Sequence, residues 1–225
     1  MLYRILTGRM EPLEVAAVLI ALVFGISIHE FAHAAAATWL GDTLPRRQGR
    51  LTLAPLAHLD VVGSLMFLVG GFGWGKPVQY DPYALRIGLR YGPALVSVAG
   101  PVSNIILAVC VAILLSALEF LAPSLPILRS APAIYVFSAF IFLLAFLVLY
   151  NLMLALFNLI PIYPLDGFTV LQALLPPDLA YRFEQTRQWG LLLLFALLFL
   201  GSNVMNVILY RPVFELWQLL VGGGF

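Results

Sequence analysis

The sequence predicts an all-α polytopic membrane protein with about four spanning helices. Three observations predict it. Of the 225 residues, 62% are hydrophobic. Only 10% are charged, against about 25% in an ordinary soluble domain. Residues 91–118, 130–165 and 188–210 carry no charge, and 12–28 carry one, Glu14. Each of these runs approaches or exceeds the roughly 20 apolar residues that cross a bilayer.

The spans are expected over 11–40, 91–120, 132–160 and 189–210. The opening MLYRILTGRM, an apolar run and AHAAAA have the outline of a secretory leader, but Glu11 and Glu14 dilute its basic start. Between the first two spans, 45–80 is expected to hold a short strand and a re-entrant loop. Arg50, Leu51, Thr52 and Leu53 alternate as a strand does. VVGSLMFLVGGFGW is too short and glycine-rich to cross, and Trp74 and Lys76 suit the membrane boundary. Irregular backbone at membrane depth must be buried in protein or line a wet cavity, so this loop is a candidate site wall. Residues 168–188 read as amphipathic helical pieces broken at Pro176-Pro177, and 211–221 as a similar short tail.

Charge sets the orientation. One side of the membrane receives eight Lys and Arg, in loops 41–90 and 161–188; the other receives Arg4, Arg9, Arg129 and Arg211. The richer side is the cytoplasmic one by the positive-inside rule. The net charge of +1 gives no sign of nucleic-acid binding. The lone Cys110 excludes an intramolecular disulfide.

Against this apolar background, HEFAH (29–33) places three ionisable side chains in five residues of the first span. Charged groups inside a membrane are costly and point to function. On a helix, His29 and His33 share one face a turn apart and can grip one metal ion. Glu30, next to the first ligand, can act as general base toward a water there, the logic of H-E-x-x-H. From this chain's three histidines and six glutamates the pattern arises by chance about once in a thousand such sequences. The alternatives are histidines that hydrogen-bond neighbouring helices, or haem ligation, although two residues four apart cannot take both axial positions of one iron.

Catalytic zinc takes three protein ligands and leaves one position open. The third candidate is Asp166, in NLIPIYPLDG (158–167), where Pro161 and Pro164 stop the third span from continuing regularly. The competing role for Asp166 is the N-cap of the next helix. Topology favours the ligand: the ends of the first and third spans emerge on the same, basic side. Residues 33 to 40 cover about 10 Å of helix, which puts the site inside the membrane near the cytoplasm.

HEFAH on one span, AGPVSN (99–104) on the next and NLIPIYPLDG closing the third resemble the site-2 protease family of intramembrane zinc metalloproteases. The loop LAPLAHLDVVGSLMFLVGGFGWGKPV resembles that of its compact bacterial and archaeal branch, without PDZ or CBS modules. The resemblance covers about residues 15–175. It implies one Zn2+ held by His29, His33 and Asp166, with Glu30 as catalytic base, and peptide-bond hydrolysis within or near transmembrane segments of other proteins. It implies a single domain over 1–225, with a catalytic core at about 11–175 and C-terminal helices at 176–225. Asn104 and Asn158 are implied to line the site, contacting substrate or ordering the ligands. His58 and Asp60 match a His-x-Asp of the family loop and are implied near it, capping the site or pairing with each other; His58 is also a candidate for a further metal ligand. The partners implied are transmembrane protein substrates and the lipid bilayer of the cell membrane. The alternative function is metal binding or transport through the same His and Asp residues; it has no need of Glu30, and transporters often carry internal repeats, which this chain lacks.

Overall fold

The computed structural model describes residues 11–63 and 73–222. Four helices there are long and apolar enough to cross a membrane: Pro12–Trp39, Gly88–Ser124, Ala131–Asn158 and Ser202–Val221. The protein is an all-α polytopic membrane protein.

The first span, α1 (Pro12–Trp39), starts with a capping box: the Glu11 and Glu14 side chains each reach back to the other's end of the first turn, and Pro12 takes the first helical position. Along α1 the buried residues Ala17, Ala21, Gly25, His29, His33 and Ala37 recur every fourth position. That spacing makes one stripe. Its small members let neighbouring helices approach closely; a Cβ on Gly25 would stand 2.6 Å from Leu154 Cδ1. The same stripe therefore packs the bundle and carries both histidines into its centre.

After a one-turn helix, α2 (Leu44–Arg47), the described residues include short 3-10 turns at Pro55–Ala57 and Pro82–Ala84, and the next two long helices are α3 (Gly88–Leu121) and α4 (Ala131–Asn158). Helices α1, α3 and α4 pack on one another in pairs. The main apolar core runs between α3 and α4 through Ala108, Leu115, Leu144 and Val148, and is completed by Met205, Leu209 and Val213. Past α4 the chain turns through Pro161 and a cis Tyr163–Pro164 bond into α5 (Asp166–Leu174), which packs on α3. Arg90 fixes the far end of α5, donating to the carbonyls of Ala173 and Leu175 at 2.8 Å each. Next come α6 (Pro177–Glu184), α7 (Gly190–Leu200), α8 (Ser202–Met205), a π turn (Asn206–Tyr210) and α9 (Arg211–Val221). The expected helical pieces at 168–188, broken at the proline pair, are thus present.

Two expectations are corrected. No strand forms at 50–56: the described residues hold one isolated bridge, Leu59 with Gly75. Arg50 turns inward, Leu51 and Leu53 face outward, and among the described residues no partner strand lies alongside, so the alternation has nothing there to pair with. The fourth span is also shifted. The apolar run 189–210 breaks at Gly201, a poor helix former, and the helix long enough to cross is Ser202–Val221. The expected tail 211–221 is its second half, tied to α4 by Trp217 Nε1–H donating to Ala145 O at 3.1 Å. The expected re-entrant segment falls mainly on 64–72, outside the described residues.

Candidate metal centre

His29 and His33 leave α1 on its buried stripe, and Asp166 enters from the first turn of α5. His29 Nε2 and His33 Nε2 lie 3.0 Å apart. Asp166 Oδ2 is 3.1 Å from the first and 3.4 Å from the second. Leu165, not Asp166, occupies the N-cap of α5, so the aspartate is free of the competing capping role.

The second nitrogen of each ring settles its tautomer. Asn104 Nδ2 donates to Gly25 O at 3.0 Å and to Asn151 Oδ1 at 2.8 Å, so its amide oxygen is the atom that faces His29 Nδ1 at 2.7 Å. His33 Nδ1 faces a pure acceptor, Val96 O, at 2.7 Å. Both Nδ1 atoms therefore carry the proton, and in the neutral rings both Nε2 atoms present lone pairs. Asp166 Oδ2 is buried and accepts no hydrogen bond. Three electron-rich atoms thus converge at a buried point with no proton between them, which is repulsive unless a cation sits there. The edges of 3.0 to 3.4 Å match those of a tetrahedral zinc site, about 3.3 Å for ligands at 2.0–2.1 Å. The donor set fits a divalent metal, and these are the three residues whose ligand atoms gather within 4.8 Å among the described residues.

Glu30 stays outside that ligand set. Its carboxylate is buried, and Oε2 accepts from Val78 N–H at 3.1 Å. His29, Glu30, His33 and Asp166 share a cavity of about 560 Å³. Its other walls are the loop from Gly73 to Val78, Val96 and Ser97 of α3, the end of α4 with Asn158, and Leu191, Leu194 and Phe195 of α7. The described part of the loop expected as a wall is one.

The remaining sequence candidates divide. Asn158 lines the cavity but spends its amide N–H on Leu154 O in its own helix, at 2.9 Å. Asn104 is fully buried and acts on His29 rather than lining the cavity. His58 is also fully buried, away from the cavity wall, and donates through Nε2 to Thr52 O at 2.6 Å. It stands outside the ligand cluster. Asp60 accepts from Gly63 N–H at 2.8 Å and is likewise off the wall.

Three contributions escaped the sequence reading, the last from a residue inside AGPVSN (99–104). Asn151, fully buried in α4, receives Asn104 and donates to Leu147 O at 2.7 Å, closing a polar chain across three helices. Its signal was a second Asn, besides Asn158, inside a charge-free span. Tyr80 lines the cavity, and burial, helped by Asp166, pushes its phenol above the usual value, so it stays a donor. Gly100 leaves room for the rings: a Cβ there would lie 2.5 Å from His33 Nε2 and 2.6 Å from His29 Cε1.

Residues 17–201 match peptidase family M50. The chain belongs to that family. This is the site-2 protease family that the motifs resemble, and membership makes the chain a metalloprotease. The chain is 38% identical over 189 residues to "Putative zinc metalloprotease YwhC" of Bacillus subtilis (strain 168), covering 83% of this chain and 82% of that one. It is 32% identical over 198 residues to "Putative zinc metalloprotease Rip2" of Mycolicibacterium smegmatis, covering 84% and 70%. The Rip2 of Mycobacterium tuberculosis (strain ATCC 25618 / H37Rv) is 32% identical over 197 residues, covering 83% and 70%. No solved structure matches the chain significantly.

In an M50 metalloprotease the partner that orients a ligand is expected to affect metal affinity. Asn104→Ala removes the acceptor of His29 Nδ1–H and strands two further groups, so it should weaken metal binding about 10- to 100-fold. Asn151→Ala, one step further out, should cost less. Competition for zinc against a chromophoric chelator checks the order; Asn104→Ala binding like wild type would break the orienting link.

Proposed function

We propose that this chain is an intramembrane zinc endopeptidase that hydrolyses peptide bonds within or near transmembrane segments of other membrane proteins. The observation that carries the reading is the convergence of three buried lone-pair atoms beside a fourth group, the separate Glu30 carboxylate, in one cavity. His29, His33 and Asp166 would hold one zinc per chain. Zinc, when bound, polarises the scissile carbonyl and brings the pKa of a water toward about 7. Glu30 takes the proton of the attacking water and passes it to the leaving amide nitrogen. Val78 N–H holds one Glu30 oxygen against the cavity wall. The negative charges of Asp166 and Glu30 offset a divalent cation, so the buried cluster comes close to neutral. A substrate helix has its carbonyls hydrogen-bonded internally, so it must unwind locally to offer one. The basic loops favour a cell-membrane protein whose site opens near the cytoplasmic face. The whole chain acts as one catalytic domain, with the core at about 11–175.

The test is purified wild-type protein in detergent with a model transmembrane peptide. One zinc per chain, cleavage of the peptide, loss of cleavage on chelation and its return with added zinc are the expected results. Cleavage that survives complete metal removal sinks the proposal. So does a fully loaded, folded protein that cleaves no membrane-spanning peptide while moving zinc across a vesicle membrane.

A further inference from the structure

Arg50 is buried, with 6% of its surface exposed. Arginine is almost never buried without a partner charge. Among the described residues no carboxylate lies within ion-pair distance of it. Its guanidinium instead donates to three backbone carbonyls: Ala57, Lys76 at 3.1 Å and Pro77 at 3.3 Å. The two segments it joins are further knitted by Lys76 N–H donating to His58 O at 2.7 Å. His58 holds its own side of the clasp through Thr52 O.

The Pro77 carbonyl and the Val78 N–H belong to one peptide group. That group is planar and rigid, with its two polar ends pointing apart. Arg50 holds the carbonyl end, and the N–H end donates to Glu30 Oε2 at 3.1 Å. Movement of the guanidinium is therefore transmitted to the Glu30 carboxylate across a single peptide plane. A cation on the carbonyl also polarises the N–H and strengthens its hydrogen bond. Gly75, in the same stretch, lies against the other oxygen: a Cβ there would stand 3.2 Å from Glu30 Oε1. We infer that Arg50 is a positioning residue for Glu30, acting through the Pro77–Val78 peptide. The inference rests on the proposed role of Glu30 as general base.

The test compares wild type, Arg50→Ala, Arg50→Lys and Glu30→Gln in detergent, with zinc content, model-peptide kinetics and amide exchange at Val78 measured on each. Arg50→Ala should keep wild-type zinc, because the metal ligands lie elsewhere. Its kcat should fall about 10- to 100-fold, the cost of misplacing a reacting group by about 1 Å. KM should move less than about threefold, because substrate binding is not what is lost. The Val78 amide should exchange faster, and added guanidinium should restore part of kcat. Lysine, a point charge that cannot span three carbonyls, should rescue only partly. Full kcat in Arg50→Ala beside an inactive Glu30→Gln overturns the inference and leaves the base intact. Cleavage by Glu30→Gln overturns the base itself. Loss of zinc together with kcat in Arg50→Ala, unrelieved by guanidinium, assigns Arg50 to general folding and also overturns the inference.

Discussion

Purified Glu30→Gln protein should bind zinc as wild type does and lose cleavage by about 10²- to 10⁴-fold, the range associated with a general base. The substitution keeps size and shape, and its amide oxygen can still accept from Val78 N–H, so the cavity wall has no reason to move. The ligand cluster contains His29, His33 and Asp166 without Glu30, so metal content should be untouched. What disappears is the proposed proton acceptor. Because the base acts in the transition state, kcat and kcat/KM should fall together. Zinc content by atomic emission and single-turnover cleavage of a transmembrane peptide measure both halves. If a zinc-loaded Glu30→Gln cleaves within about threefold of wild type, the proton goes elsewhere and the general-base assignment is lost.

The parts of the molecule that were legible in the sequence are those that obey a short-range rule. His29 and His33 sit four apart on an apolar helix, and helical geometry alone puts them on one face. Asp166 was legible because prolines end the third span next to it and because topology brings both span ends to the same side. Where burial depends on distant partners, legibility failed. Arg50 begins an alternating run, but its three carbonyl partners come from up to 27 residues away, and satisfying them turns the chain away from a strand. Gly201 lies within a charge-free run that hydropathy reads as continuous, yet the helix divides there and the crossing moves toward the C-terminus. Asn151 looks like any polar residue in a span until Asn104 is placed opposite it.

The local and distant levels meet on one stripe of α1. Ala17, Ala21 and Gly25 fill it where helices must touch, and His29 and His33 continue it where they must leave a polar gap. Close packing holds the gap in shape: the two rings cannot drift apart while α1, α3 and α4 stay in contact. The spacing of the proposed ligands is thus a consequence of helix approach, and it should be sensitive to a single methyl group at the point of closest approach.

Gly100→Ala is that methyl group. Its Cβ would fall 2.5 Å from His33 Nε2 and 2.6 Å from His29 Cε1, with His33 Cε1 also at 2.6 Å. Contacts this short require movement, and neither ring is the far end of a flexible side chain: each is pinned by its own Nδ1 hydrogen bond. The rings can yield only by breaking those bonds, or α3 can yield only by separating from α1. Overpacking of this kind costs about 1–3 kcal/mol in a core, and here the displaced rings belong to two of the three proposed ligands. Zinc affinity should therefore fall by more than loss of one ligand-orienting partner, upward of about 100-fold. Secondary structure by circular dichroism should persist, since α3 gains a better helix former than glycine. Zinc titration of Gly100→Ala measures the loss, and Ile106→Ala, at an exposed position of the same helix, is the control for a change that does not touch the rings. Wild-type zinc affinity in Gly100→Ala would show that the rings have freedom that their hydrogen bonds deny them, and the coupling of helix approach to metal geometry would fail.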